Sequence, residues 1–289
     1  MPDGRLIDVR LREGHVTSGS YVRIAPPPRL AGDIRGYCDY RETTGVVTTR
    51  RELPHAEGVL IINLGQRIEI VGGDAGVLRL NAGDAFFAGP HLKPALSRSG
   101  GSQAGVHVYL PLSTMRRLID TPMHAFVDRV APLDAFLGNE ARDLGEALGA
   151  ARNWETRAKL LDAALLRLLS VRKRVDLQQA FALRMLRERR DLDVADVARE
   201  IGWSRKHLAA RVRDAVGVGP RCFRRLLRFQ RLVGAVGERR TPPDWAGLAQ
   251  DAGYCDQSHM IREFVEFSGL SPAAYWRRLT PDGGELIES

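Results

Sequence analysis

DWAGLAQDAGYCDQSHMIREFVEFSGLSPAAYWRRL runs from Asp244 to Leu279. An earlier stretch, DVADVAREIGWSRKHLAARVRDAVGVGPRCFRRLL from Asp193 to Leu227, carries the same pattern. Ala198 and Gly202 align with Ala249 and Gly253, Leu208 with Met260, Val212 with Phe264, Gly217 with Gly269, Pro220 with Pro272 and Phe223 with Tyr275. The register slips by one residue between Gly253 and Met260. Matches this dense mark an internal repeat, so both stretches are expected to fold as copies of one unit.

Each copy reads as helix, turn, helix. Val194, Val197, Ala198 and Ile201 recur at helical spacing, and Gly202 follows where the chain must leave the helix through a left-handed backbone. Ser204 is a natural N-cap for the next helix, which keeps Leu208, Val212 and Ala215 inside and Arg205, Lys206 and Arg213 outside. In the second copy Leu248, Ala249 and Ala252 form the first helix and Gly253 ends it. Asp256 then caps a helix with Met260, Phe264 and Phe267 inside and Gln257, Ser258 and Arg262 outside. Short polar and basic side chains on the first turns of a helix are what major-groove reading requires, since Arg and Gln each make two hydrogen bonds to a base edge. Between the copies, Pro220–Val236 reads as one long helix opened by a proline. Its apolar positions are Leu226, Leu227, Phe229, Leu232, Val233 and Val236, and Arg224, Arg225, Arg228 and Arg231 decorate it. Such a connector would set two reading helices into successive major grooves, about 34 Å apart.

GYCDQSHMIREFVEFSGLSPAAYWRRL, with its Gly-Tyr, Gln-Ser, Arg262, Phe264, Gly269, Pro272 and Tyr275, resembles the signature of the C-terminal DNA-binding domain of the AraC/XylS family of bacterial transcription regulators. The resemblance covers about residues 179–280. It implies sequence-specific binding of double-stranded DNA through two helix–turn–helix motifs, a role in transcription regulation, and no enzymatic activity. The first copy departs from the pattern. Where members often carry Arg two residues after the Leu of the first recognition helix, this chain has Ala210, beside Ala209. That helix is left to read through Arg205, Lys206 and phosphate contacts, or through alanine contacts to thymine methyls.

Charge agrees with a polyanion partner. The 289 residues carry a net +8, and residues 180–280 hold 19 Lys/Arg against 12 Asp/Glu. The remainder is close to neutral. An Arg-rich solvated surface would give the same totals, but not their concentration on the repeats. Nonspecific nucleoid binding is a further reading, with salt-sensitive affinity and no sequence preference. Cys38, Cys222 and Cys255 are widely spread with no CxxC, which suggests neither a zinc site nor a disulfide framework. Residues 1–14 lack the apolar core of a signal peptide, and no apolar run is long enough to span a bilayer. The expected compartment is the cytoplasm, with reduced thiols and no membrane partner.

The length suits two domains. Residues 1–112 read as a β-rich sensor domain. Gly58–Leu64 and Arg67–Gly72 form an expected hairpin about Gly65-Gln66, followed by strands at 76–80, 84–89 and 105–112. Turns are expected at Gly72-Gly73-Asp74, 81–84 and 99–102. Short strands with this punctuation suggest a small barrel or sandwich, and NAGDAFFAGPH resembles a piece of cupin barrels. Residues 113–173 read as a helical extension with helices at 139–151 and 154–170. In the latter, Trp154, Ala158, Leu161, Leu165 and Leu168 form a stripe that either packs on the β domain or serves as a homodimer seam. A polar link at 173–178, a helix at 180–189 that opens the DNA-binding domain (179–280) and a tail at 281–289 complete the chain. The fold class is therefore α+β, with an all-α C-terminal domain of two helix–turn–helix motifs joined by a long helix.

The competing function is a cupin-like module, small-molecule-binding or metal-dependent and enzymatic, fused to a DNA-binding output. Metal cupins need a His-x-His pair with further ligands. Here His55, His91 and His107 stand apart, and no cofactor is expected. Tyr37, Tyr40, Phe86, Phe87 and Tyr109 are candidates for lining an effector pocket, although Phe86 and Phe87, being adjacent on a strand, face opposite sides. No Walker loop, Rossmann fingerprint or GxSxG occurs. The expected DNA-contacting set is Ser204, Arg205, Lys206, His207 and Arg213 in the first unit and Asp256, Gln257, Ser258 and Arg262 in the second. Arg224, Arg225, Arg277 and Arg278 are expected to steady the phosphate backbone. His207 and His259 occupy matching places, where they either touch phosphates or pack at the rim; Trp203 and Tyr254 read as core.

Overall fold

The computed structural model describes residues 5–13, 18–71, 76–172, 176–237, 239, 241–279 and 286–288. Twelve strands are present among them: β1 (Leu6–Glu13), β2 (Ser18–Ile24), β3 (Gly36–Thr43), β4 (Thr48–Glu52), β5 (Glu57–Asn63), β6 (Ile68–Val71), β7 (Val77–Leu80), β8 (Ala85–Ala88), β9 (Ala95–Ser99), β10 (Ser102–Pro111), β11 (Val130–Pro132) and β12 (Leu286–Glu288). Eleven α-helices accompany them: α1 (Leu112–Ile119), α2 (Asp134–Leu137), α3 (Asn139–Ala150), α4 (Trp154–Ser170), α5 (Leu177–Glu188), α6 (Val194–Glu200), α7 (Arg205–Val216), α8 (Pro220–Gly237), α9 (Trp245–Ala252), α10 (Gln257–Ser268) and α11 (Pro272–Arg278).

The strands form two antiparallel sheets, ordered β1-β2-β3-β10-β5-β8-β11 and β12-β4-β9-β6-β7. Strand β10 explains the layering. Its Val106, Val108 and Leu110 are at most 1% exposed and join the core cluster that includes Met115 and Leu118 of α1 and Leu161 and Leu165 of α4. Gly105, His107 and Tyr109 alternate onto the other face of the sheet. Tyr37 and Phe87 point to the helical side as well. The Tyr37 hydroxyl donates to Asp162 at 2.9 Å, and Phe87 packs edge-on against Phe126 and Phe136. The expectation that these two line a pocket is therefore corrected: alternation sends them into the core.

Four of the five stripe residues of α4 pack within the chain: Ala158, Leu161, Leu165 and Leu168 are at most 5% exposed in the same core, and Trp154 is partly buried against it. Arg157 of α4 pairs with Asp39 of β3 at 2.8 Å and fixes the helix across the sheet.

The hairpin expected about Gly65 is absent. Strand β5 pairs with β10 and β8, whereas β6 pairs with β7 and β9 in the other sheet. The chain changes sheets at residues 64–67. Asn63, fully buried, makes the corner: its amide donates to the carbonyls of Gln66 and Leu80, and its oxygen accepts the Gly65 N–H. A side chain at Gly65 would meet the backbone N of Ala104 at 2.5 Å, so the corner passes tightly over β10. The local hairpin is β6–β7; the turn expected at Gly72, Gly73 and Asp74 lies outside the described residues, as do 173–175 of the expected polar link and 280–285. Residues 177 and 178 of that link open α5, because Asp176 caps the helix by accepting from the Gln178 and Gln179 N–H groups. Three residues of the expected tail pair with β4 as β12.

Gly65→Ala should destabilise the protein by about 1–3 kcal/mol, the range for overpacking a filled site. Urea denaturation of the variant beside the wild type measures it.

Candidate nucleic-acid interface and the adjoining cavity

The repeat folds as two matching units. In the first, Asp193 and Asp196 form a capping box at the start of α6. Gly202 turns the chain with φ +72°, and Ser204 caps α7 by accepting the His207 N–H at 3.1 Å. Leu208 and Val212 are fully buried. Ser204, Arg205, Lys206, His207, Ala210 and Arg213 are exposed together on the outer face. In the second, Asp244 caps α9, Gly253 turns with φ +91°, and Asp256 caps α10 by accepting the His259 N–H at 2.7 Å. Met260 and Phe264 are fully buried, and Gln257, Ser258 and Arg262 are exposed. The cap oxygens of Ser204 and Asp256 are thus engaged in holding the helix starts.

The two histidines do the same thing in both units. His207 packs edge-on to Trp203 with centroids 4.7 Å apart, and His259 packs edge-on to Tyr254 at 5.3 Å. Each ring sits at the rim on the aromatic that follows the paired glycine. Sequence reading missed Ile261 and Val265, which are 37% and 43% exposed on α10 beside Arg262. The signal was available: they stand four apart, outside the inner row of Met260, Phe264 and Phe267.

Four arginines of α8, Arg224, Arg225, Arg228 and Arg231, are occupied within the protein. Arg225 and Arg228 both reach Glu263 of α10 at 2.8 Å, and Arg225 also pairs with Glu266. Glu263, 3% exposed, is the anchor. Burial pushes its carboxyl up, but hydrogen bonds from Arg228 and Arg225 outweigh that and hold it below its ordinary range. Arg228 also lies over the Tyr254 ring at 4.7 Å, and Arg231 donates to the Ala252 carbonyl at 3.2 Å. Arg224 donates to the carbonyls of Leu192 and Arg189, tying α8 to the loop before α6. The guanidinium groups of Arg224 and Arg225, expected to steady DNA, thus also brace the domain. Arg277 and Arg278 are exposed at the end of α11. Glu263 went unnoticed because a charged residue in a recognition helix reads as solvent-facing.

A cavity of about 530 Å³ lies between the sheets and reaches the helical domain. Tyr40, Phe86 and Tyr109 line it as expected, together with His55, His91 and His107, and Val233 of α8 and Tyr275 of α11 complete its wall. Among the described residues no three His, Cys, Asp or Glu side chains converge as metal ligands would. The segment before β5 touches the helical domain directly. The Glu57 N–H donates to His55 Nδ1 (3.1 Å), the Gln230 side chain meets His55 Nε2 at 2.6 Å, and Glu57 pairs with Arg187 at 2.7 Å. Burial holds the His55 imidazole below its ordinary pKa. Elsewhere Arg116 pairs with Asp214 of α7 at 3.1 Å, and Arg51 donates to the Ser268 carbonyl at 3.2 Å. No helix among the described residues is long and apolar enough to cross a membrane.

Residues 197–278 match a family model described as a helix-turn-helix domain. No curated protein matches the sequence. Among solved structures, ToxT from Vibrio cholerae aligns over 91% of this chain and 98% of its own, with 10% identity and a TM-score of 0.50. A ToxT structure with a bound unsaturated fatty acid aligns over 83% of this chain and 97% of its own, with 12% identity and a TM-score of 0.46. The AraC-like transcriptional activator CuxR aligns over 80% and 86%, with 18% identity and a TM-score of 0.32. The first of these places the strands and the helical repeat in one known two-part fold.

Glu263→Gln should lower stability by about 1–3 kcal/mol, less than for a fully buried pair because Arg225 is a third exposed. The Glu263 contribution is complete above the ordinary glutamate pKa and is lost as pH falls through the depressed folded value. Urea midpoints of wild type and variant should therefore converge on acidification.

Proposed function

We infer that this DNA-binding transcription regulator, with its AraC-type helix–turn–helix domain at the C-terminus, reads two successive major grooves through α7 and α10. The observation that carries this is the repetition itself. At matching places in both units a glycine turn and a side-chain cap deliver a helix whose inner face is buried and whose outer face carries exposed polar groups. Arg262 and Gln257 supply the base contacts of the second helix, flanked by Ser258, with Ile261 and Val265 placed for thymine methyls. Arg205, Lys206 and Arg213 supply those of the first, together with phosphate contacts. Arg277 and Arg278 hold the backbone. Ser204, Asp256 and His207 act by fixing the helix starts that carry these groups.

The cavity between the sheets is the effector site. Its volume is within the range of small-molecule pockets. Val233 and Tyr275 belong to the DNA-binding domain, so a molecule in the cavity touches both halves of the protein. The His55–Gln230 contact gives it a route to α8, the helix that joins the two reading units.

On a duplex selected for tight binding, Arg262→Ala should cost about 1–3 kcal/mol and relax preference at one base pair, while Arg277→Ala should weaken all sequences alike and reduce the salt slope by about 1. Fluorescence anisotropy titrations across salt measure both. Uniform weakening by Arg262→Ala would contradict base reading by that residue.

A further inference from the structure

One wall of the cavity is a ladder of rings. Tyr21 of β2 and Tyr40 of β3 are cross-strand partners whose rings stack, 12° between planes and 6.4 Å between centroids. Tyr40 meets His107 of β10 at 4.6 Å, and His107 meets Tyr109 edge-on at 5.9 Å. All four line the cavity. Gly105 makes the room for it: a Cβ there would lie 3.0 Å from the Tyr40 ring and 2.6 Å from the Ile62 carbonyl oxygen. Elsewhere the wall carries Ile68, Ile70 and Phe86, which pack as an apolar cluster of their own.

The charges on the wall are equal in number: Arg23, Arg50 and Arg51 line it with Glu42, Glu52 and Glu57. Arg50 and Glu42 pair at 2.7 Å with both side chains at most 6% exposed. Glu57 holds Arg187, Glu52 accepts the Ser97 hydroxyl at 2.6 Å, and Arg51 donates to the Ser268 carbonyl. A carboxylate or ammonium entering beside Arg50, Glu42 or Glu57 would have to displace one of these partners or remain uncompensated away from water, which is expensive. An uncharged molecule meets no such obstacle. Flat rings gain from stacking and edge contacts beyond the area that they bury.

Resting on the reading of the cavity as an effector site, we propose that its ligand is an uncharged, planar aromatic molecule lying against the Tyr21–Tyr40–His107–Tyr109 ladder. The proposal is tested on the full chain by isothermal titration at neutral pH with three probes on one skeleton: 2-naphthol (flat and neutral), 2-naphthoate (flat and anionic) and decahydro-2-naphthol (neutral, not flat). 2-Naphthol should bind at least tenfold more tightly than either of the others. Tyr40→Leu should weaken 2-naphthol at least tenfold while leaving decahydro-2-naphthol unchanged, and Tyr40→Phe should preserve both. Tyr21→Leu serves in its place if Tyr40→Leu does not fold, judged by thermal unfolding. Equal or tighter binding of 2-naphthoate or decahydro-2-naphthol, no binding of 2-naphthol, or indifference to loss of the ring overturns the ligand class. A bound probe of any class that leaves affinity for DNA unchanged counts instead against the effector reading.

Discussion

The pairing of Glu263 with Arg225 and Arg228 decides what the C-terminal domain can do. Glu263 belongs to the second recognition helix, and the two arginines belong to the helix that joins the two units. Behind them, Phe229 packs on Phe264 and Phe267 with centroids 5.2 Å apart. A carboxylate buried to this degree is tolerated only when its hydrogen bonds are made, so α10 has one seat on α8. The first unit is tied to the same helix by Arg224, which holds the carbonyls before α6. An 18-residue helix is about 27 Å long at 1.5 Å per residue. Both units are braced against it between Arg224 and Phe229.

The β domain rests on this frame at several points. Arg116 reaches Asp214, and Gly217 sits so close to Pro90 and Met123 that a Cβ would come within 2.6 Å of the proline ring. Arg51, His55 and Glu57 reach Ser268, Gln230 and Arg187. Exposed ion pairs contribute little individually. What matters is that these contacts bracket the cavity, so that the same short segment lines it and touches α8. A ligand that prefers one arrangement of this segment biases the domain contact by its differential affinity and by no more than that.

Much of the architecture was legible. The α4 stripe, the paired glycines and the caps at Ser204 and Asp256 are local signals with local causes, and the helices start and stop where those residues dictate. Adjacent Phe86 and Phe87 divide between cavity and core as strand alternation requires. The failures are long-range. Gly65-Gln66 reads as a hairpin, yet Asn63 and the tight passage over Ala104 turn it into a crossing between sheets. Nothing local shows that Arg225 and Arg228 satisfy the buried Glu263 or that Arg224 ties α8 to the carbonyls before α6; packing alone reveals it. The aromatic ladder is drawn from three strands, with Tyr21 and Tyr109 at its ends 88 positions apart, so no window of sequence contains it.

Selection of tight binders from a random duplex pool at physiological salt tests directly whether both helices read bases, held at one separation. Two conserved half-sites about one helical turn apart, roughly 10 base pairs from centre to centre, are the predicted result. A single conserved half-site, or no enrichment over the starting pool, would contradict it.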